Sequence, residues 1–381
     1  MSGFSFTLEA VASNSRARAG TFHTPHGDVP TPAFMPVGTR GTVKGIMPDQ
    51  LETVGASMLL ANTYHLHLRP GEDVVRELGG IHRFMGWDGP ILTDSGGYQV
   101  FSLGHMTALD DDGATMKSVV DGTPIRLTPE KVVDIQLALG PDVLMAFDEC
   151  PSNPTERPAV ERATERTHRW LERCVRRWRE REGLASGNAL FGIVQGGIFP
   201  ELRRASVDAV TSHDLPGYAI GGVATGEGRE DMLAAVEVAA PLLPEDRPRY
   251  LMGVGTPLDF VDAVDRGIDL FDCVTPTRHG RNHQAFTSIG RLNLRNSRWA
   301  RDESPVDANC DCPCCTRFSK GYVRHLCKTN EMLAGILLTL HNLRYFIHLM
   351  EDLRVAILGG NIESILKRVQ NQGMSRKSSA G

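Results

Sequence analysis

Nowhere in this 381-residue chain does an apolar run reach the length of a bilayer span, and Met1 to Ala10 shows neither a basic start nor the apolar core of an export signal. A cytoplasmic protein with no membrane partner is the expectation. Positive charge is not in excess either. A formal net charge of −5 excludes a protein that coats nucleic acid along its whole surface. A glycine-rich dinucleotide fingerprint is also missing, since Val37-Gly38-Thr39-Arg40-Gly41 is a poor match for the turn that an open, doubly wound sheet places after its first strand. One further absence is local. Between Cys273 and Arg301 there is no Asp or Glu, yet Arg278, Arg281, Arg291, Arg295, Arg298 and Arg301 all fall there. A basic window inside an acidic chain points to phosphate.

What the chain does have is repetition. Short apolar runs ending in a polar or glycine-rich clip recur at Ala33 to Val37, Met58 to Ala61, Ile91 to Asp94, Val143 to Asp148, Phe191 to Gln195, Ala219 to Gly222, Tyr250 to Val254 and Leu270 to Asp272. Each is too short for a helix, and eight is the number of strands a closed β/α barrel requires. Segments with helix punctuation lie between them. Thr128 is a cap with Pro129 in the first turn and Gly140 after the end, and Thr256 with Pro257 repeats those roles. The expected fold is α/β: a (β/α)8 TIM barrel over residues 1–300, a small zinc-binding subdomain inserted near the C-terminus at 301–349, a final helix at 350–370 packing on the barrel, and a frayed tail at 371–381. Thr155 to Glu182, with mixed charges at helical spacing and a stripe of Trp170, Leu171, Val175 and Trp178, reads as an exposed barrel helix. Asp110 to Gly113 and Asp121-Gly122, flanking Thr115 to Val120, predict a hairpin over the barrel mouth.

Four of the eight cysteines crowd into Cys310, Cys312, Cys314 and Cys315. A cytoplasmic chain does not hold them as disulfides, whereas thiolates at C-x-C-x-x-C spacing can converge on one tetrahedral Zn2+ ion. Three thiolates leave one position to fill. His341, on the apolar helical stretch Leu333 to Leu349, is the best candidate, with His325 and Cys314 competing for the place. Four protein ligands would make the site structural, because catalytic zinc keeps a position for water or substrate.

Asp94, Asp148 and Asp272 each stand at the end of an expected strand, where a barrel concentrates its reactive groups. Two carboxylates around one electrophilic sugar carbon can divide the work: one attacks to give a covalent glycosyl intermediate, the other moves protons. A third carboxylate, beside Gln195 and the backbone amides after Ala219, offers acceptors and donors that match the edge of a guanine-like base.

Thr93-Asp94-Ser95-Gly96-Gly97-Tyr98-Gln99, Phe147-Asp148-Glu149-Cys150, Gly192-Ile193-Val194-Gln195-Gly196-Gly197, Phe271-Asp272-Cys273-Val274 with Pro276-Thr277-Arg278, and the cysteine knuckle with Leu340-His341-Asn342 resemble the bacterial tRNA-guanine transglycosylases. The likeness runs in one register from about Phe6 to near Leu366. It implies exchange of the wobble guanine of tRNA for 7-aminomethyl-7-deazaguanine, the precursor of queuosine, without cutting the RNA. Carried over residue by residue, it makes Asp272 the nucleophile and Asp94 the proton acceptor and donor. Asp148, Gln195 and the Gly222 amide read the base together with Ser95 and Gly96, and Tyr98 and Met252 sandwich its ring. Arg278 and Arg281 match residues that grip the anticodon loop. Cys310, Cys312, Cys315 and His341 match the family's ligands for one structural zinc per subunit, which leaves Cys314 as the odd thiol. A homodimer is implied as well.

Two departures stand out. Thr225 occupies a place where bacterial members usually carry valine, and its similar bulk still favours the small base over full queuine, though its hydroxyl changes the polarity of that wall. Val119 replaces a common histidine, without a functional explanation. Three other readings remain. A glycoside hydrolase needs neither knuckle nor arginine window; a non-catalytic RNA-binding subunit would not need both Asp94 and Asp272; and the archaeal relative that edits tRNA elsewhere carries added RNA-binding domains.

Overall fold

The computed structural model describes residues 3–102, 107–151 and 156–374. Eight parallel strands pair in sequence order, and the ring closes where the last meets the first. They are β1 (Ala33–Gly38), β2 (Leu59–Ala61), β3 (Ile91–Thr93), β4 (Val143–Met145), β5 (Ala189–Val194), β6 (Gly217–Ile220), β7 (Arg249–Leu251) and β8 (Leu270–Cys273). Every apolar run expected to be a strand carries one. Alternation along the strands sorts the side chains. Met35, Leu60, Leu92, Met145, Phe191, Ile193, Tyr250 and Leu270 fill the interior, while Phe34, Leu59, Ile91, Leu144, Leu190, Tyr218 and Phe271 join the core under the helices.

An antiparallel sheet of Ser5–Val11, Arg18–Thr24 and Gly27–Thr31 closes the floor, the end at which the barrel strands begin. Its Phe22 is fully buried and reaches the barrel interior, 5.8 Å from the Phe191 ring. Burying one such ring is worth roughly 1.5–3 kcal/mol. Two acids are saturated here. Asp269, just before β8, accepts from Arg18 Nε at 2.9 Å and from the Arg249 amide at 2.7 Å. Asp142, just before β4, accepts from the Ile91 amide at 2.8 Å and lies 2.8 Å from His26 Nδ1 and 3.3 Å from His82 Nε2. Burial alone would raise Asp142, but its bonds to His82, His26 and Ile91 outweigh that and hold it below the usual carboxylate range.

Helix punctuation is where the sequence puts it. Pro129–Leu139 starts on Thr128, whose side chain accepts from the Lys131 amide, and stops at Gly140 with φ +75°. Pro257–Asp265 starts on a capping box of Thr256 and Asp259. The helix expected from Thr155 runs Arg157–Glu180, its stripe of Trp170, Leu171, Val175 and Trp178 buried, with Trp170 stacked on Phe147 at 4.6 Å.

Three details differ from expectation. The excursion after β3 is a three-stranded sheet, Thr107–Asp110, Gly113–Lys117 and Pro124–Leu127, rather than a hairpin. Proline opens the third strand and hides it from a sequence reading. The core around the cysteines takes in Ala285 and Leu292 of the hairpin Gln284–Thr287 and Gly290–Asn293, ahead of residue 301. Finally, one helix, Met332–Leu358, passes through position 349 without a break, and a second, Glu363–Met374, runs past 370. Of the tail expected at 371–381, residues 375–381 lie outside the described residues. Among the described residues no helix is long and apolar enough to cross a membrane.

Candidate active site and metal centre

Inward positions recur every second residue, so the residue two past the last inward strand position enters the barrel mouth. From Leu60, Leu92, Ile193, Tyr250 and Leu270 that step reaches Asn62, Asp94, Gln195, Met252 and Asp272. Asn62, Asp94, Met252 and Asp272 line one cavity of about 370 Å³, together with Ser95, Tyr98, Asp148, Gly222, Thr225 and Arg278. Gln195 is fully buried against it, its Nε2 donating to Asp148 Oδ2 at 2.7 Å. Gly96 and Arg281 are not in the lining. Two glycines set the close approaches: a Cβ on Gly97 would come within 2.1 Å of Asp148 Oδ1, and one on Gly222, at φ +60°, within 2.1 Å of Gln195 Oε1.

The three acids have only neutral donors. Asp94 Oδ2 accepts from Asn62 Nδ2 at 2.5 Å and Gln99 Nε2 at 3.3 Å, and Oδ1 from the Thr63 amide at 2.8 Å. Burial pushes its pKa up to about 6 against those bonds, and the charge on Asp272 adds to the rise. Asp148 accepts from Gln195 and from Ser95 Oγ at 3.2 Å; burial pushes it up to about 6 as well, helped by the charge on Asp94. Half-buried Asp272 is also raised by burial. Tyr250 OH and the Gly253 amide both donate to its Oδ1, at 2.6 and 2.7 Å. Among the described residues nothing donates to Oδ2. Two carboxylates that feel each other's charge across one cavity, one with an open oxygen and one titrating near neutrality, can supply a nucleophile and a proton carrier.

Arg278 and Arg281 are exposed on Thr275–Arg281, the short helix that starts just after β8. Among the described residues none of the six arginines of the acid-free window forms an ion pair. Arg157, Arg166, Arg169, Arg173, Arg176 and Arg177, on the helix Arg157–Glu180, all do.

The cysteine knuckle resolves to Cys310, Cys312, Cys315 and His341, whose ligand atoms lie within 4.8 Å of one another. His341 Nδ1 is 3.3 Å from Cys315 Sγ and 3.6 Å from Cys312 Sγ, and its Nε2 bonds the Phe286 carbonyl at 2.7 Å. That outer bond fixes which nitrogen faces the thiols. Cys314 is buried in the subdomain core and His325 is exposed, and neither joins the group. The donor set fits a tetrahedral soft-metal site.

Sequence reading missed Asn62, Gln99, Cys150 and Tyr250, all in the lining, and Arg203, buried beneath it. Asn62 and Tyr250 were reachable once strand phase was known. For Arg203 no signal existed, because its neighbour Arg204 is exposed and looks the same in sequence.

The family profile described as queuine tRNA-ribosyltransferase matches residues 13–374. A queuine tRNA-ribosyltransferase of Herpetosiphon aurantiacus is 52% identical over 366 residues, 96% of this chain and 92% of its own length. One from Thermus thermophilus is 53% identical over 377 residues, covering 99% and 96%. Another, from a Synechococcus species, is 53% identical over 357 residues, covering 94% and 95%.

Proposed function

This chain belongs to the queuine tRNA-ribosyltransferase family, and on that premise we propose that it exchanges the wobble guanine of tRNA for 7-aminomethyl-7-deazaguanine through a covalent bond between Asp272 and the ribose, within queuosine biosynthesis. It is a transferase that exchanges guanine in tRNA. The observation that carries the mechanism is the pairing of Asp94 and Asp272 on one cavity with unlike surroundings.

A guanine stacked in the anticodon loop is out of reach of a barrel-mouth carboxylate, so its nucleotide is splayed into the cavity. Oδ2 of Asp272 attacks C1′ of the ribose, the C1′–N9 bond breaks, and its electron pair leaves with guanine, which takes a proton from Asp94. The incoming base then gives its N9 proton back to Asp94, its nitrogen attacks C1′, and Asp272 departs. Protons and charge balance over the cycle. A group titrating near neutrality serves both halves. Asp148 accepts from the N–H edge of the base, while Gln195 and the Gly222 amide donate to its carbonyl. Ser95 steadies Asp148, Gly96 shapes the turn beside it, and Tyr98 and Met252 cover the ring faces. Thr225, in the wall, favours the small base. Exclusion of water protects the covalent adduct from hydrolysis.

Arg278 and Arg281 grip phosphates of the anticodon loop. One Zn2+ per subunit, held by Cys310, Cys312, Cys315 and His341, would supply structure alone, since four protein ligands leave no open position. Association as a homodimer and a cytoplasmic location, where tRNA is met, complete the proposal.

Incubation of the purified protein with tRNA and radiolabelled guanine, then with the aminomethyl base, tests it. Label and base should appear at the wobble position, identified by nucleoside mass. A folded protein that exchanges neither base, or that modifies another position, refutes it.

A further inference from the structure

Arg203 lies on the helix Pro200–Thr211 and is fully buried. Among the described residues its guanidinium donates only to backbone carbonyls: Nε to Gly197 at 2.8 Å, Nη1 to Val194 at 3.1 Å and Gly221 at 2.7 Å, and Nη2 to Gly222 at 3.0 Å. Burial lowers its pKa only to about 10, so it remains a cation at neutral pH. An ionised side chain is costly to bury without a counter-charge. Its four carbonyls come from two segments, the one that carries Gln195 and the one that carries Gly222.

In a trans peptide the C=O and the following N–H point in opposite directions. A carbonyl drawn back onto Arg203 therefore turns the next amide away from the guanidinium. The Gly221 carbonyl fixes the Gly222 N–H in this way, and the Gly222 carbonyl fixes the Val223 N–H; Gly222 and Val223 both line the cavity. The direction has an independent marker, because the Gly222 amide meets the thiol of Cys150, itself a lining residue. The next two amides, of Ala224 and Thr225, donate to Glu227. Val223 donates to no other described residue.

We propose that Arg203 is a positioning residue that aims the Gly222 and Val223 amides as a donor pair at the carbonyl oxygen of the bound base. The proposal deepens the base-exchange reading and rests on it. Only arginine suits the task, since a planar fork with five donors can span two loops, whereas lysine offers one point charge.

Arg203→Lys and Arg203→Gln, assayed with guanine, tRNA and 2-aminopurine, a base of the same ring shape that lacks the carbonyl and its N1–H, test it through the change in preference from the wild type. The KM for guanine should rise roughly ten- to a hundred-fold, and that for tRNA by less, because phosphate contacts carry much of its affinity. The preference for guanine over 2-aminopurine binding should shrink by the same factor. A residue that only supports folding would lower the active fraction and leave that preference intact. Folded variants with an unchanged preference overturn the proposal. Should neither variant fold, a crystal structure of the wild type with guanine must place the base carbonyl within hydrogen-bonding distance of both amides, and a carbonyl turned elsewhere overturns it. Absence of guanine exchange in the wild type would instead refute the base-exchange reading.

Discussion

The two ends of one barrel treat buried aspartate in opposite ways. At the floor, Asp269 has Arg18 and Asp142 has two histidines. At the mouth, Asp94, Asp148 and Asp272 have only neutral donors and feel each other's charge. An acid given a guanidinium or imidazole partner is spent on holding strands together. Acids left facing one another are kept ionisable for chemistry.

The sharpest test exchanges the roles. Asp272→Ala should cut exchange by roughly 10⁴-fold or more and abolish the trapped RNA adduct, with tRNA binding retained. Robust turnover would break the comparison at its centre. Asp269→Ala should do the reverse, costing about 3–5 kcal/mol in denaturant unfolding because Arg18 is left buried without its partner, while the molecules that stay folded exchange guanine normally.

Proton linkage separates Asp148 at the mouth from Asp142 at the floor by sign, whereas burial raises Asp269 as it does the mouth acids. Asp148 rises from 3.8 to about 6 on folding, so between those values the folded protein holds a proton that the unfolded chain has released, and this residue's contribution to stability falls as pH rises. Relative to wild type, Asp148→Asn should therefore gain up to about 3 kcal/mol between pH 4 and pH 6. Asp142, held low, contributes stability that is present above pH 4 and lost as the solution becomes more acid. Guanine exchange should fall as pH drops below about 6, where Asp148 protonates. A variant whose stability tracks wild type across that range would remove the linkage.

A smaller effect divides the two arginine-rich segments. Arg278→Ala should raise the KM for tRNA and reduce the salt slope of binding by about one. Arg173→Ala, which loses its pair with Glu130, should leave RNA binding alone and cost at most about 1 kcal/mol.

The barrel was legible because each strand is an apolar run closed by a clip, and eight such runs admit few folds. The acids that line the cavity were legible for the same reason, as the clips themselves. His341 was preferred to His325 from the apolar stretch that carries it, and the fold agrees. The floor sheet was not legible from apolar runs, since Ser5–Val11 alternates, with Phe6, Leu8 and Ala10 half-buried and the residues between them exposed, and so has none of the continuous apolar character of the barrel strands. Nor was the run of helix through position 349, where no residue announces a stop or its absence. Arg203 escaped because burial of one arginine beside an exposed one is decided by tertiary phase.

One turn of the helix Met332–Leu358 carries two neighbours with different duties. His341 faces the thiols, and Asn342 bonds the carbonyls of Pro276 and Gln284 and the amide of Phe286 at 2.9 Å each. The platform that presents Arg278 therefore hangs from the same turn as the knuckle. On the proposed roles of the zinc knuckle and of Arg278, starving a cell of trace metal would slacken the hold on the anticodon before it disturbed the chemistry, tying the decoding quality of its tRNA to its mineral supply.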